Sequence, residues 1–203
     1  MTFIEMFVQI LEYALLGVLS QNLIFTAGIG SNRMLRMATI YKNLFPIGLY
    51  MVLFSSTSAI FAPQIIRWIG LERTAIWWML VFMAGLTVLY FLVLGLVFLI
   101  FGKKSRFFQT TLQILPGCAY NCIIISMPFI AQKSEFTPMQ SVGFCVGAAI
   151  GLILAVKLVR EAIRRLDDPQ MPDGFAGRPG LLIYIGILSM AFIAISGQPF
   201  LFI

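Results

Sequence analysis

The chain has 203 residues, of which 60% are hydrophobic and 11% are charged, and it contains no histidine. Soluble domains average about 25% charged residues, so the composition excludes an ordinary soluble domain and predicts an integral membrane protein. The net charge of +6 follows the predicted membrane topology and does not indicate nucleic-acid binding. No basic region precedes the first apolar stretch, so we expect no cleavable signal peptide.

Long uncharged segments predict six transmembrane helices, because one crossing of a bilayer needs about 20 apolar residues. In chain order the segments are about 3–30, 43–66, 75–101, 107–132, 136–156 and 179–203. We therefore expect an all-α membrane protein in which several helices are tilted, kinked or broken.

The first segment contains both an acid and a polar second half. Glu12 is its one charge well inside apolar sequence, and an acid at the bilayer centre costs about 2.5–3.5 kcal/mol. Glu12 could carry a proton or sodium ion, or it could line an outer vestibule together with Glu5, seven residues earlier. The second half is rich in polar residues and glycines, namely Ser20, Gln21, Asn22, Thr26, Gly28 and Gly30.

The fourth segment combines membrane-spanning length with residues that interrupt a helix, namely Pro116, Gly117, Asn121 and Pro128. Proline breaks the helical hydrogen-bond ladder, and irregular backbone at membrane depth survives only inside protein or beside a polar cavity. Cys118 and Cys122 are four residues apart and would share one face of a continuous helix. They are candidates for a redox site, but buried free cysteine also serves as a small hydrophobe.

The basic residues predict the orientation in the membrane. Eleven of the 14 Lys and Arg residues fall in the loops after segments one, three and five, and such loops face the cytoplasm. Both termini should then lie outside. These eleven are Arg33, Arg36, Lys42, Lys103, Lys104, Arg106, Lys157, Arg160, Arg164, Arg165 and Arg178.

Helix five is expected to extend past the membrane through Arg160, Arg164 and Arg165. This basic end is either a solvated helix terminus or a docking surface for an acidic partner.

Two groups of three helices suggest an inverted repeat within a single domain, 1–203, with one half at about 1–101 and the other at about 107–203. An odd number of helices inserts the second half upside down relative to the first, and broken helices in such repeats meet near the midplane. Asn22-Leu23-Ile24 in helix one matches Asn121-Cys122-Ile123 in helix four. We therefore predict that helices one and four are both broken.

Several stretches resemble the Rnf/Nqr integral membrane subunits, and most closely the RnfA/NqrE type. Leu115-Pro116 followed by Asn121-Cys122 is similar to the family's broken fourth helix. Arg160-Glu161, Arg164 and Leu166, with Pro172, Phe175 and Gly177, resemble its loop between helices five and six. The run 186–192 with Gly197 resembles its last helix, and Gln21-Asn22 with Gly30 resembles its first.

The resemblance implies a non-catalytic membrane subunit of a redox-driven sodium or proton pump linked to ferredoxin or NADH. It also implies a paralogous membrane subunit of opposite topology, further Rnf/Nqr-type subunits, and a bacterial or archaeal cytoplasmic membrane as the location. In the family, two such subunits share a binuclear iron–sulfur cluster to which each supplies two cysteines. Cys122 matches the ligand from helix four.

The ligand position in helix one is occupied by Asn32, a neutral amide that does not replace a thiolate on iron. Either Cys118 takes the vacant place or the site is altered or empty. Two alternatives to the pump subunit follow from the asparagine at this ligand position. One is a divergent homologue without redox chemistry that acts as a transporter or assembly scaffold, and the other is a structural membrane protein.

Overall fold

The computed structural model describes residues 3–20, 22–40, 44–69, 76–102, 105–166 and 177–196. Within these ranges the backbone forms helices and turns and no strand, which confirms the predicted all-α class. The helices are α1 (Phe3–Leu15), α2 (Ser31–Ile40), α3 (Phe45–Ile69), α4 (Ile76–Phe101), α5 (Arg106–Ala119), α6 (Cys122–Lys133), α7 (Pro138–Leu166) and α8 (Arg178–Ser196). A π-helical segment, Leu16–Ser20, directly follows α1.

Among the described residues, four helices are long and apolar enough to cross a membrane: α3, α4, α7 and α8. The pair of α5 and α6, bent by 46° at a short break, makes a fifth span if it is counted as one. The protein is therefore a multi-pass membrane protein. The first predicted segment does not qualify by itself, because α1 has only 13 residues and a straight span needs about 20.

The loop predicted after the first segment needs correction. Helical structure ends at Ser20, within the predicted first segment. Gly28 and Gly30 have φ angles of 69° and 85°, which glycine adopts without steric cost. They turn the chain into α2, which contains two arginines that the sequence analysis assigned to a loop, Arg33 and Arg36.

The first compact unit comprises residues 1–44 and 143–203. Its centre is α7, where Phe144, Leu152 and Val156 are almost fully buried. A glycine face on this helix, Gly143, Gly147 and Gly151, lies against α1 and the turn that follows it. A Cβ atom added at Gly147 would collide with the carbonyl oxygen of Ala14, so the two backbones are in direct contact.

The second compact unit comprises residues 45–142 and contains α3, α4, α5 and α6. Phe54 and Met51 of α3 are buried, as are Ile124 and Met127 of α6. The hydroxyl of Ser58 on α3 donates to the backbone carbonyl of Ile124 at 3.2 Å, which adds a polar contact to this apolar packing.

The compact units do not coincide with the predicted sequence repeats. Each unit combines an interrupted segment from one predicted half with helices from the other half. The division into repeats at about 1–101 and 107–203 therefore stays a prediction.

Candidate functional site at the two helix breaks

The first break lies between the π-helical segment and α2, and Asn22 organises it. Its side-chain oxygen accepts hydrogen bonds from the backbone N–H groups of Ile24 (3.2 Å) and Phe25 (3.4 Å). Its amide nitrogen donates to the carbonyl of Val18 at 3.0 Å. One side chain thus satisfies backbone groups on both sides of the break, as asparagine does in local turns. Only 1% of Asn22 is exposed.

Gly151 of α7 makes room for this amide. A Cβ atom at Gly151 would lie 3.0 Å from the amide nitrogen of Asn22, which is tighter than ordinary contact. On the far side of the turn, Phe25 stacks on Phe192 of α8, with ring centroids 4.8 Å apart. The first break is therefore held by its own asparagine and supported by α7 and α8.

The second break separates α5 from α6 and is organised by Asn121. The side-chain oxygen of Asn121 accepts from the backbone N–H of Ile123 at 3.4 Å and so caps the start of α6. Its amide nitrogen donates to the sulfur of Met51 on α3, also at 3.4 Å. Asn121 is 2% exposed. Of the four residues from which the break was predicted, Asn121 lies at it. Pro116 and Gly117 lie inside α5, and Pro128 lies inside α6.

The two asparagines that the sequence paired therefore have the same local task. Each is buried, and each accepts from the backbone N–H two residues further along the chain. Buried polar groups need such partners, because an unmade hydrogen bond costs about 1–3 kcal/mol.

The cysteines of the second break do not share a surface. Cys118 belongs to α5, is fully buried, and donates its thiol to the backbone carbonyl of Ile47 at 3.8 Å. Cys122 is the first residue of α6 and is exposed. The expectation that the two thiols lie on one face requires a continuous helix, and the break at Asn121 removes that condition.

Asn32, the residue at the helix one ligand position, is the second residue of α2 and is exposed. The described residues contain no group of three or more His, Cys, Asp or Glu side chains able to hold a metal ion. With Cys118 engaged inside its own unit, the breaks present one exposed thiol, Cys122. This donor set does not fit a protein that supplies two thiolates to a shared cluster.

Glu12 is exposed on α1, and within the described residues it makes no ion pair. Exposed apolar side chains surround it on the same side of the helix, namely Val8, Leu11 and Leu15. The carboxylate thus belongs to an outward surface of α1 rather than to the core of its unit. The structure leaves both interpretations of Glu12, ion pathway and outer vestibule, as predictions.

The predicted basic docking patch is only partly free. Arg160 is half-buried and donates to the backbone carbonyls of Ala38 (3.1 Å) and Met37 (3.3 Å), near the end of α2. Arg164 and Arg165 are exposed and pair with Glu161. Sequence alone gave no signal for the Arg160 contacts, because their partners lie more than 120 residues away along the chain.

Other residues that the sequence analysis singled out lie outside the described ranges. They are Gln21, Lys42, Lys103, Lys104, Pro172, Phe175 and Gly197.

Two hydroxyl pairs near the second break were not predicted. Tyr50 on α3 and Thr111 on α5 share a buried hydrogen bond of 2.9 Å. Tyr120, the residue that directly follows α5, donates its hydroxyl to Thr87 on α4 at 3.0 Å. These pairs tie both neighbouring helices to the break.

Comparison with known proteins gives a family and several relatives. Residues 10–198 match the model of a family described as "Rnf-Nqr subunit, membrane protein". One relative, from the Na⁺-translocating ferredoxin:NAD⁺ oxidoreductase complex of Acetobacterium woodii, is 30% identical over 104 residues, 51% of this chain and 54% of the relative. Another, from the Na⁺-translocating NADH-quinone reductase of Alcanivorax borkumensis, is 31% identical over 83 residues, 41% of this chain and 40% of the relative.

A third relative, from the ion-translocating oxidoreductase complex of Syntrophotalea carbinolica, is 30% identical over 116 residues, 55% of this chain and 60% of the relative. All three relatives are single subunits of their complexes. The chain spans about half the length of the curated relatives that it matches.

Proposed function

The chain belongs to the Rnf-Nqr family of membrane subunits, and from this premise we propose that it is a subunit of a redox-driven, ion-translocating electron transport complex. The observation that carries the proposal is the family match over residues 10–198, a range that includes both helix breaks. The relatives named above belong to sodium-translocating or ion-translocating oxidoreductases, two of them linked by name to ferredoxin or NADH.

The direct test uses the native organism. Inverted membrane vesicles from a strain lacking the gene should lose sodium or proton uptake driven by reduced ferredoxin or NADH, and a plasmid copy should restore it. Normal donor-driven uptake in the deleted strain would refute the proposal.

We propose six transmembrane helices in two inverted halves, with both termini outside. The support is the pair of breaks, each capped by a buried asparagine, together with the bias of basic residues towards alternate loops. Reporter fusions after Gly102 and Gln170 should report cytoplasm, and a fusion after Ile203 should report the exterior. A cytoplasmic C-terminus would refute this topology.

A paralogous membrane subunit of opposite topology and other Rnf/Nqr-type subunits are the proposed partners. The support is that all three relatives named above are subunits of multi-subunit complexes. Purification from native membranes in mild detergent should recover these subunits together. Recovery of only a monomer or homodimer would count against the partnership.

For the iron–sulfur site we propose an altered or empty position rather than the family's standard ligand set. The support is the exposed amide of Asn32 and the buried, hydrogen-bonded thiol of Cys118. Electron paramagnetic resonance and iron counts on the purified complex should then show no binuclear cluster that depends on Cys122. Loss of such a signal in Cys122→Ser, but not in the buried control Cys145→Ser, would show that the site is not empty. Loss in Cys118→Ser as well would support a relocated ligand.

The presence of Asn32 at the helix one ligand position also favours a second candidate function. In this alternative, the chain is a divergent homologue that acts as a transporter or assembly scaffold without redox chemistry. If the purified complex contains no iron and donor-driven ion uptake is normal, the chain remains a component of the pump that carries no cluster. Ion or solute transport by the isolated chain in liposomes, without any electron donor, would favour the transporter.

A further inference from the structure

A cavity of about 610 Å³ lies within the first unit, where α2, the end of α7 and the start of α8 meet. Its volume is within the range of about 300–1,000 Å³ that is usual for small-molecule sites. Its lining residues are Asn32, Leu35, Arg36, Thr39, Ile163, Leu166, Gly177, Arg178, Leu181 and Leu182.

Two arginines, Arg36 and Arg178, bring positive charge to this cavity, and both are exposed. Neither has an acidic partner among the described residues. The neighbouring cations at the end of α7 differ in this respect, because Arg164 and Arg165 pair with Glu161. The cavity therefore presents two guanidinium groups without an acidic partner in the described part of the chain, and guanidinium groups bind phosphate oxygens well.

The remaining wall is largely apolar, with leucine and isoleucine side chains from all three helices. One candidate span begins at the cavity, since α8 starts at Arg178. Positive charge above an apolar wall at the end of membrane spans is the arrangement that suits a lipid with an anionic headgroup.

We propose that this cavity binds one anionic phospholipid, with its phosphate against Arg36 and Arg178 and its acyl chains along Leu181 and Leu182. Free phosphate would gain nothing from the leucines. An acidic protein segment would need more donors than two arginines and the amides and hydroxyls beside them.

Asn32 acquires a role in this arrangement. It lines the cavity, and its neutral amide can donate hydrogen bonds to a phosphate. The site does not depend on the proposed redox function.

The test uses the purified full chain in neutral detergent. Lipid is added in mixed micelles, as palmitoyl-oleoyl phosphatidylglycerol or the matched phosphatidylcholine, with inorganic phosphate as a separate arm. Native mass spectrometry counts bound lipid, and the shift in melting temperature with lipid concentration gives an apparent affinity. We expect one phosphatidylglycerol per chain, preferred over phosphatidylcholine, and no comparable shift with phosphate.

The double variant Arg36→Gln/Arg178→Gln should weaken phosphatidylglycerol binding roughly 30-fold, because both arginines contribute to attraction of an anionic lipid. Arg164→Gln/Arg165→Gln removes the same charge outside the cavity and should change the affinity less than about threefold. Equal binding of the two lipids by the wild type would overturn the proposal, and this result needs no variant to fold. Equal losses in both double variants, or full stabilisation by phosphate alone, would also overturn it.

Discussion

The two helix breaks share one cap residue but rest on different supports. At the first break, Asn22 makes all its hydrogen bonds to its own segment. The support from α7 is steric, through the approach of Gly151 to the amide of Asn22 and of Gly147 to the backbone of Ala14. At the second break, Asn121 reaches across to Met51, and hydroxyl pairs tie α3 and α4 to the break.

This difference indicates how each break would respond to change. The first depends on the absence of side chains on one helix face, so it should be sensitive to added volume. The second depends on polar side chains, so it should be sensitive to their removal. The exposed thiol, Cys122, lies at the second break, while Asn32 follows the first.

The largest expected effect is at the glycine face. In Gly147→Ala, the new Cβ would collide with the carbonyl oxygen of Ala14 and lie 3.0 Å from its Cα, so the backbone must move. Overpacking of this kind costs about 1–3 kcal/mol or more. The melting temperature measured by fluorescence-detected size-exclusion chromatography should fall sharply.

Gly186→Ala on α8 is the matched control, because no atom lies within 4 Å of its Cβ position. It should melt close to the wild type. Equal melting temperatures for the two variants would show that α1 does not rest on α7 through the glycine face.

The next largest expected effect is the loss of stability when either asparagine cap is removed. Asn22→Ala removes three hydrogen bonds and should destabilise the protein by about 2 kcal/mol, near the upper end for a lost cap. Asn121→Ala removes one cap bond and one weak bond to sulfur and should cost about 1 kcal/mol. Unfolding in mixed micelles of increasing denaturing detergent measures both. A larger loss for Asn121→Ala would reverse the comparison.

The smallest expected effect is the loss of stability when either hydroxyl pair of the second unit is broken. Tyr50→Phe leaves the buried hydroxyl of Thr111 without its partner and should cost about 1 kcal/mol. Tyr120→Phe affects an exposed pair with Thr87 and should cost about half as much or less. The same unfolding assay measures both variants. Thr111→Val combined with Tyr50→Phe should recover part of the loss, and failure to do so would argue against a direct bond.

Parts of the fold and of the candidate site followed from sequence. Interruptions of the first and fourth segments were predicted, because asparagine and glycine act on the backbone within a few residues. The prolines gave a wrong position, since Pro116 and Pro128 lie inside α5 and α6. The pairing of Asn22 with Asn121 was predicted as well, and both have the same capping geometry. The helix α2 was missed, because its basic residues were taken as loop residues and its mean hydropathy is low.

What the sequence determined by itself was the membrane class, the helical content and the two interruptions, since these depend on local composition and on the length of apolar runs. Only the tertiary structure decided that Cys118 is buried against Ile47 while Cys122 is exposed. It alone directed Arg160 to the carbonyls of α2, more than 120 residues away. It also gathered Arg36 and Arg178 at one cavity. These outcomes depend on which helices pack together, and that is set by long-range contacts that no local pattern encodes.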